Sequence, residues 1–267
     1  MAEVAVARPA ATIVLMRDGA AGLEVFMVVR HHAIAFASGA AVFPGGRVEK
    51  SDFALAADPV LCPNPDGIGV EPMGFRLAAI RETFEECGVF LARPAGSASL
   101  IGAEGLRAVE AAHRVPLAEG KVDLATVLGA HDLRPATDLM THFAHWITPV
   151  NQPKRYDTHF FLAEAPSEHL AIHDGEEAVD SLWIPPGEVL AGTEAGRFKL
   201  VFATQLNLAR LAEYRTAAEA IAAARASQVV TVCPVFLGMD GERRRMRIPE
   251  EAGYGGSEFL VVNPPAS

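Results

Sequence analysis

The spacing of apolar residues changes along the chain, and each change marks an element. Residues 11 to 17, ATIVLMR, and 23 to 30, LEVFMVVR, are β-rich runs separated by DGAAG, whose aspartate and glycines suit a reversing turn. This spacing predicts an opening hairpin. A short run at Ala41 to Phe43 meets Pro44-Gly45-Gly46, and the glycine pair predicts a tight or closely approached backbone before Arg47-Val48-Glu49. Residues 58 to 74 are rich in proline and glycine and read as an ordered loop or inserted excursion. From Phe75 to Cys87 the period changes: Leu77, Ile80 and Phe84 recur at helical steps, which predicts an amphipathic helix stopped at Gly88.

Beyond Ser97 the pattern is helical in short pieces, roughly Glu104 to His113 and Val122 to Leu128. Strand signals return at Thr141 to Ile147 and Thr158 to Ala163, and again near Val179 to Ile184. Pro185-Pro186 precedes a short helix, and Lys199 to Glu213 is helical, continuing after Tyr214 as the alanine-rich TAAEAIAAARA. Val229 to Leu237 and Phe259 to Val262 predict late strands. The tract Arg243 to Met246, RRRM, reads as a solvated loop or a subunit contact. The pattern predicts an α/β protein without repeats or heptads.

With 267 residues, 50% of them hydrophobic and 21% charged, the chain can bury a substantial core, which excludes wholesale disorder. The formal net charge of -10 disfavours nonspecific attraction to nucleic acid or anionic lipid. Cys62, Cys87 and Cys233 are too few and too scattered for a disulfide framework or a zinc site, which points to a reducing compartment. The opening MAEVAVARPA lacks the basic and apolar regions of an export signal, and no apolar run reaches membrane-spanning length. The expected location is the cytoplasm.

The chemistry concentrates in Arg81-Glu82-Thr83-Phe84-Glu85-Glu86-Cys87-Gly88-Val89. On a helix Glu82, Glu85 and Glu86 stand at i, i+3 and i+4, so three carboxylates share one face while Ile80 and Phe84 turn to the core. Their repulsion requires a cation, an arginine or solvent, and oxygen donors suit Mg²⁺ or Mn²⁺. Arg81 could pair with a neighbouring glutamate and hold its rotamer. A solvated acidic face with ordinary helical pairing is the competing reading.

This segment resembles the second half of the box G-x5-E-x7-R-E-U-x-E-E-x-G-U of the Nudix hydrolases, where U is a bulky aliphatic residue. Arg81, Glu82, Glu85, Glu86, Gly88 and Val89 match in order. Gly46 resembles the box glycine, but 36 residues separate it from Glu82, so an expanded stretch lies between. Counting back from Arg81, the early-glutamate position falls on Met73; Glu71 misses it, and Thr83 stands where an aliphatic residue is usual. The phrases VFPGGRVEKSD, WITPVNQPKRYDTHFFLA and GRFKLVFATQLNLARLAEY look like a branch of the family that includes peroxisomal acyl-CoA diphosphatases.

The resemblance implies one elaborated domain over residues 1–267, a Nudix α/β/α sandwich around a mixed β-sheet with helical insertions. It carries an inserted loop at about 50–74, a helical insertion at about 97–130 and a C-terminal helical extension at about 199–226. It implies Glu82, Glu85 and Glu86 as metal-site and catalytic residues with Arg81 beside them, and Glu177, rather than Glu176, as a further loop acid. Gly45, Gly46 and Arg30 are the substrate-side matches. Arg47 could meet a phosphate or pair with Glu49, and Lys154, Arg155 and Tyr156 could bind phosphate and an aromatic ligand or pair with Asp157.

The implied reaction is divalent-metal-dependent hydrolysis of a pyrophosphate in a nucleoside diphosphate linked to another group, CoA or acyl-CoA among the candidates. ADP-ribose, NADH and dinucleoside polyphosphates are the alternatives, and a non-catalytic nucleotide sensor is a different class. A homodimer is the expected assembly. His31-His32 lacks an acidic or cysteine partner for a metal, and His142, His145 and His159 read as core or hydrogen-bonding histidines.

Overall fold

Alternation along the first strand, β1 (Ala7–Gly19), divides the molecule into layers. Ala11, Ile13 and Leu15 enter one buried cluster, and Val14 and Met16 enter another on the opposite sheet face. The structure is a computed structural model that describes residues 4–30, 40–167, 169 and 178–262. Glu176, Glu177 and His31-His32 lie outside those residues.

β1 turns into β2 (Gly22–Arg30), with Gly19 opposite Gly22, so the opening hairpin forms as the sequence predicts. Short strands β3 (Ala41–Val42) and β4 (Gly45–Arg47) follow, then helices α1 (Lys50–Ala56) and α2 (Val70–Cys87). Helix α2 thus starts five residues before the expected Phe75, and α1 lies inside the stretch expected as a loop. Leu77, Ile80, Phe84 and Cys87 are completely buried and form its core stripe. Left-handed Gly88, with φ 72, ends it by donating its N–H to the Phe84 carbonyl.

The next region pairs β5 (Ala92–Pro94) with β6 (Leu133–Pro135) around the short helices α3 (Ala103–Val109), α4 (Val115–Ala118) and α5 (Leu124–Ala130). A π-helical segment, Glu110–Arg114, joins α3 to α4. Strands β7 (Thr141–Ile147), β8 (Arg155–Glu164) and β9 (Ala178–Ile184) return to the main sheet.

Helices α6 (Pro186–Glu194), α7 (Phe202–Leu211) and α8 (Ala217–Ala226) supply the second layer. The helix expected from Lys199 begins at Phe202, because Lys199 bridges to Ala40 as extended backbone. It also breaks before α8, where the Thr216 side chain accepts from the Glu219 N–H and caps the new helix.

The chain ends in β10 (Thr231–Val232), β11 (Val235–Asp240), β12 (Arg243–Arg247) and β13 (Glu258–Val262). β12 is the middle strand of the antiparallel order β11-β12-β13, which corrects the loop reading of Arg243 to Met246. Alternation explains it: Met246 is buried while Arg243, Arg245 and Arg247 are exposed, a half-buried strand whose polar residues happen to be arginines.

The main sheet is mixed and eight-stranded, in the order β10-β7-β8-β1-β2-β3, with β4 beside β1 and β9 beside β2. β1 runs parallel to β8 on one edge, while its other edge pairs antiparallel with β4 at Ala10 to Thr12 and with β2 from Met16 onward. That change of partner places the Gly45-Gly46 strand under α2. Helices cover both faces, so the expected α/β/α architecture is present. Among the described residues no helix is long and apolar enough to cross a membrane.

Candidate active site

Arg81 organises the acidic face of α2. Its side chain is 4% exposed, and its Nε and Nη2 donate to the two carboxylate oxygens of Asp52, each at 3.1 Å. Nη2 also donates to the Arg47 carbonyl at 2.8 Å, while Nη1 reaches Glu82 at 3.0 Å and Glu85 at 3.2 Å. One planar head therefore ties α1, the β4 turn and two of the three glutamates together, a task that needs the multidonor fork of arginine. Burial disfavours its charge, but Glu82, Asp52 and Glu85 outweigh this and hold the guanidinium protonated above its ordinary range.

Glu86 is buried and accepts from the Gly45 N–H at 3.0 Å, which locks the glycine turn to the helix. Glu85 lies between layers: burial pushes its carboxyl up, Arg81 pulls it down, and Glu49 and Asp52 add like-charge repulsion. Arg114, from the π-helical segment, donates its Nε to the Glu85 carbonyl at 3.0 Å and fixes the end of α2. Asp52, Glu82 and Glu85 thus surround the buried guanidinium of Arg81, with Glu86 beside them on α2 and Glu49 joined to Asp52 through its N–H. An oxygen-only donor set with excess negative charge fits a hard divalent ion.

Asp52 is the residue that backward counting from Arg81 misses. The early-glutamate position falls on Met73 by that count, but Met73 is 1% exposed and packs in the core, and Glu71 is exposed. Counting forward from Gly46 through the five-residue spacer reaches Asp52, which sits against Arg81 from α1. On that forward count the expanded stretch lies between Asp52 and α2. Thr83 is harmless at its aliphatic position, since its buried hydroxyl donates to the Ala79 carbonyl at 2.6 Å within the helix.

Gly46 permits the close approach of turn and helix. A Cβ there would stand 2.5 Å from the Glu82 carboxyl group, the far end of a movable side chain. Gly46→Ala is expected to displace Glu82 rather than unfold the chain. Activity should fall about 10²-fold, the scale of an ångström misplacement, with thermal denaturation nearly unchanged. A loss of melting temperature equal to the loss of activity would assign the glycine a purely structural role.

Of the remaining sequence candidates, Arg47, Lys154, Arg155 and Tyr156 have described side chains. Arg47 is exposed beside the turn, with its carbonyl held by Arg81. Arg155 donates to the Thr148 and Ala5 carbonyls at 3.0 and 2.8 Å, so its head braces the chain entering β1 and the β7–β8 connection. A cavity of about 400 Å³ is lined by Arg8, Lys154, Arg155 and Tyr156 among others. Arg30 ends β2, and its side chain is outside the described set, as is Glu177.

His145, Asp157 and His159 form a second polar group on β7 and β8, with a ligand atom from each within 4.8 Å of the others. Burial drives His159 down to about 3 and His142 down to about 4, with neighbouring histidines and Arg76 contributing. These two rings carry no charge at neutral pH and are not cations for a phosphate. Sequence reading gives these histidines as core or hydrogen-bonding residues, and they do hydrogen-bond, but the meeting of 145 with 157 and 159 depends on strand pairing.

The mixed sheet between helical layers and the carboxylates of α2 are features of one family, and the chain belongs to the Nudix superfamily: the family model described as NUDT19 Nudix domain matches residues 63–211, more than half of its length. Within that family it is similar to the crystal structure of a NUDIX hydrolase from Alicyclobacillus acidocaldarius, with 28% identity and a TM-score of 0.68. That match covers 81% of this chain and 96% of the other.

Among curated sequences, it is 29% identical over 214 residues to the acyl-coenzyme A diphosphatase NUDT19 of Gallus gallus, covering 64% of this chain and 56% of that protein. It is 26% identical over 195 residues to the putative nudix hydrolase 7 of Caenorhabditis elegans, covering 72% and 57%. The chain spans little more than half the length of these relatives.

Proposed function

We propose that the protein hydrolyses a pyrophosphate bond in a nucleoside diphosphate linked to another group, with CoA or acyl-CoA as the first candidate substrate. The observation that carries this reading is the convergence of Glu82, Glu85 and Glu86, with Glu86 bonded to the Gly45 N–H and the other two held by Arg81. These glutamates would hold Mg²⁺ or Mn²⁺, which, when bound, polarises phosphate oxygens and makes water a stronger nucleophile. Arg81 positions the carboxylates. Glu177 is the proposed loop acid on sequence grounds.

The cavity beside Lys154, Arg8 and Tyr156 offers basic and aromatic contacts for a phosphorylated, ring-bearing ligand. The acyl-CoA preference draws on the likeness to the NUDT19 domain and to the chicken diphosphatase of that name. Hydrolysis of an acyl-CoA would add water across the P–O–P bridge and give acyl-phosphopantetheine and adenosine 3',5'-bisphosphate.

The test is mass-spectrometric product detection with Mg²⁺ or Mn²⁺ and a panel of CoA, acyl-CoA, ADP-ribose, NADH and diadenosine polyphosphates. Release of adenosine 3',5'-bisphosphate from CoA species is the expected outcome. Turnover confined to another panel member would move the substrate class. Nucleotide binding without turnover by folded protein would replace the enzyme reading with a sensor.

A further inference from the structure

The β7–β8 pair carries a set of metal-ligating side chains that the carboxylate site does not use. The antiparallel register sets His145 opposite His159 and Ile147 opposite Asp157. Positions 157 and 159 share a face by alternation, and His145, facing 159, joins them. The imidazole of His145 contacts the Asp157 carboxylate through Nε2, and its Nδ1 lies 2.8 Å from the Thr231 hydroxyl on β10. The Nδ1 of His159 lies 3.0 Å from Nε2 of His142.

Each of the two opposed histidines therefore has Nδ1 engaged by an outer partner, and Nε2 of His145 meets Asp157, so an ion would take the place of the proton shared by that pair, with Nε2 of His159 as the third ligand atom. This is the arrangement by which neighbouring hydrogen bonds orient imidazole ligands. Two imidazole nitrogens and one carboxylate select a borderline transition ion, whereas the all-oxygen set on α2 selects a hard one. The side chains of His145 and Asp157 are 17% and 33% exposed, so the group is open to solvent ions.

We propose that His145, Asp157 and His159 form a Zn²⁺-class binding site, separate from the glutamates, with Thr231 and His142 as outer partners and water in the remaining position. His159 lies opposite Ala11 and Ala11 opposite Gly46, so β1 alone stands between the histidine strand and the glycine strand that meets the glutamates of α2. Two strand spacings separate β4 from β8, about 10 Å. The bound ion would tie β7 to β8 and, through Thr231, to edge strand β10. Binding to the native state alone raises stability by mass action.

Tag-free, chelator-treated full-length protein would be titrated with Co²⁺ in excess Mg²⁺, following visible d–d absorption, and with Zn²⁺ in thermal denaturation. The expected result is a saturable, stoichiometric band that Zn²⁺ displaces and that E86Q retains. H145Q/H159Q should abolish it with an unchanged circular dichroism spectrum, and isosteric Asp157→Asn tests the same point if the double variant does not fold. Thr231→Val should weaken binding about 10-fold, as loss of an orienting partner does. No band in the wild type, a band that survives in H145Q/H159Q and Asp157→Asn, or one lost in E86Q would overturn the site. None of these readouts depends on a substrate.

Discussion

Glu86→Gln is expected to lower turnover of the cleaved pyrophosphate by about 10³-fold, the scale of losing a principal electrostatic group in a water-poor site. Melting temperature should move little. The reason lies in what the substitution keeps: a glutamine oxygen can accept the Gly45 N–H as the carboxylate does at 3.0 Å, so the glycine turn stays docked on α2. What it removes is one negative charge, at a buried position, from the three carboxylates of α2 that would hold the ion. Saturating Mg²⁺ should recover only part of the rate. The check pairs kcat across a Mg²⁺ titration with thermal denaturation. An unchanged kcat would remove Glu86 from the machinery, and a parallel fall in stability would make it a structural clamp.

How much of this site was legible in the sequence depends on which interactions are local. The three glutamates and the core stripe of α2 are helix neighbours, so periodicity alone places them. Asp52 is not local to Arg81, because the excursion between α1 and α2 separates them along the chain while the fold packs the two helices together. Counting from Gly46 finds it, and counting from Arg81 does not. Arg155 reads in sequence as a phosphate ligand or a partner of Asp157 because only its charge is visible there, whereas its two backbone acceptors come from segments the fold brings to it.

Register hides the rest. A bulge between His142 and Ala144 sets which face of β7 meets β8, and only after it does His145 stand opposite His159. The spacing of Asp157 and His159 shows that they share a face, yet nothing in either strand alone names their partner. The break between α7 and α8 had a local signal in Thr216, outweighed by the high helix propensity of the alanines beyond it.

Asp52→Ala is expected to destabilise the fold by about 3–5 kcal/mol, the usual cost of stripping one partner from a buried ion pair. For a chain of this size that corresponds to a fall in melting temperature of roughly 10 °C. Asp52 is 1% exposed and accepts twice from a guanidinium that is itself 4% exposed, so solvent does not replace the lost carboxylate. The Arg81 charge persists, because Glu82 and Glu85 still face it. The reciprocal capping of α1 is lost as well, since the Asp52 side chain also accepts from the Glu49 N–H at 2.8 Å. Asp52→Asn retains the shape and one strong acceptor and should fall between wild type and alanine. Freed from Asp52, Arg81 would shift toward Glu82 and Glu85 and compete with a divalent ion, so the Mg²⁺ concentration for half-maximal activity should rise. Urea denaturation of the three proteins, with Mg²⁺ titrations on those still folded, makes the check. A stability loss below about 1 kcal/mol would mean that the pair behaves as a solvated surface bridge, and Arg81 would then be held by the Arg47 carbonyl and the glutamates alone.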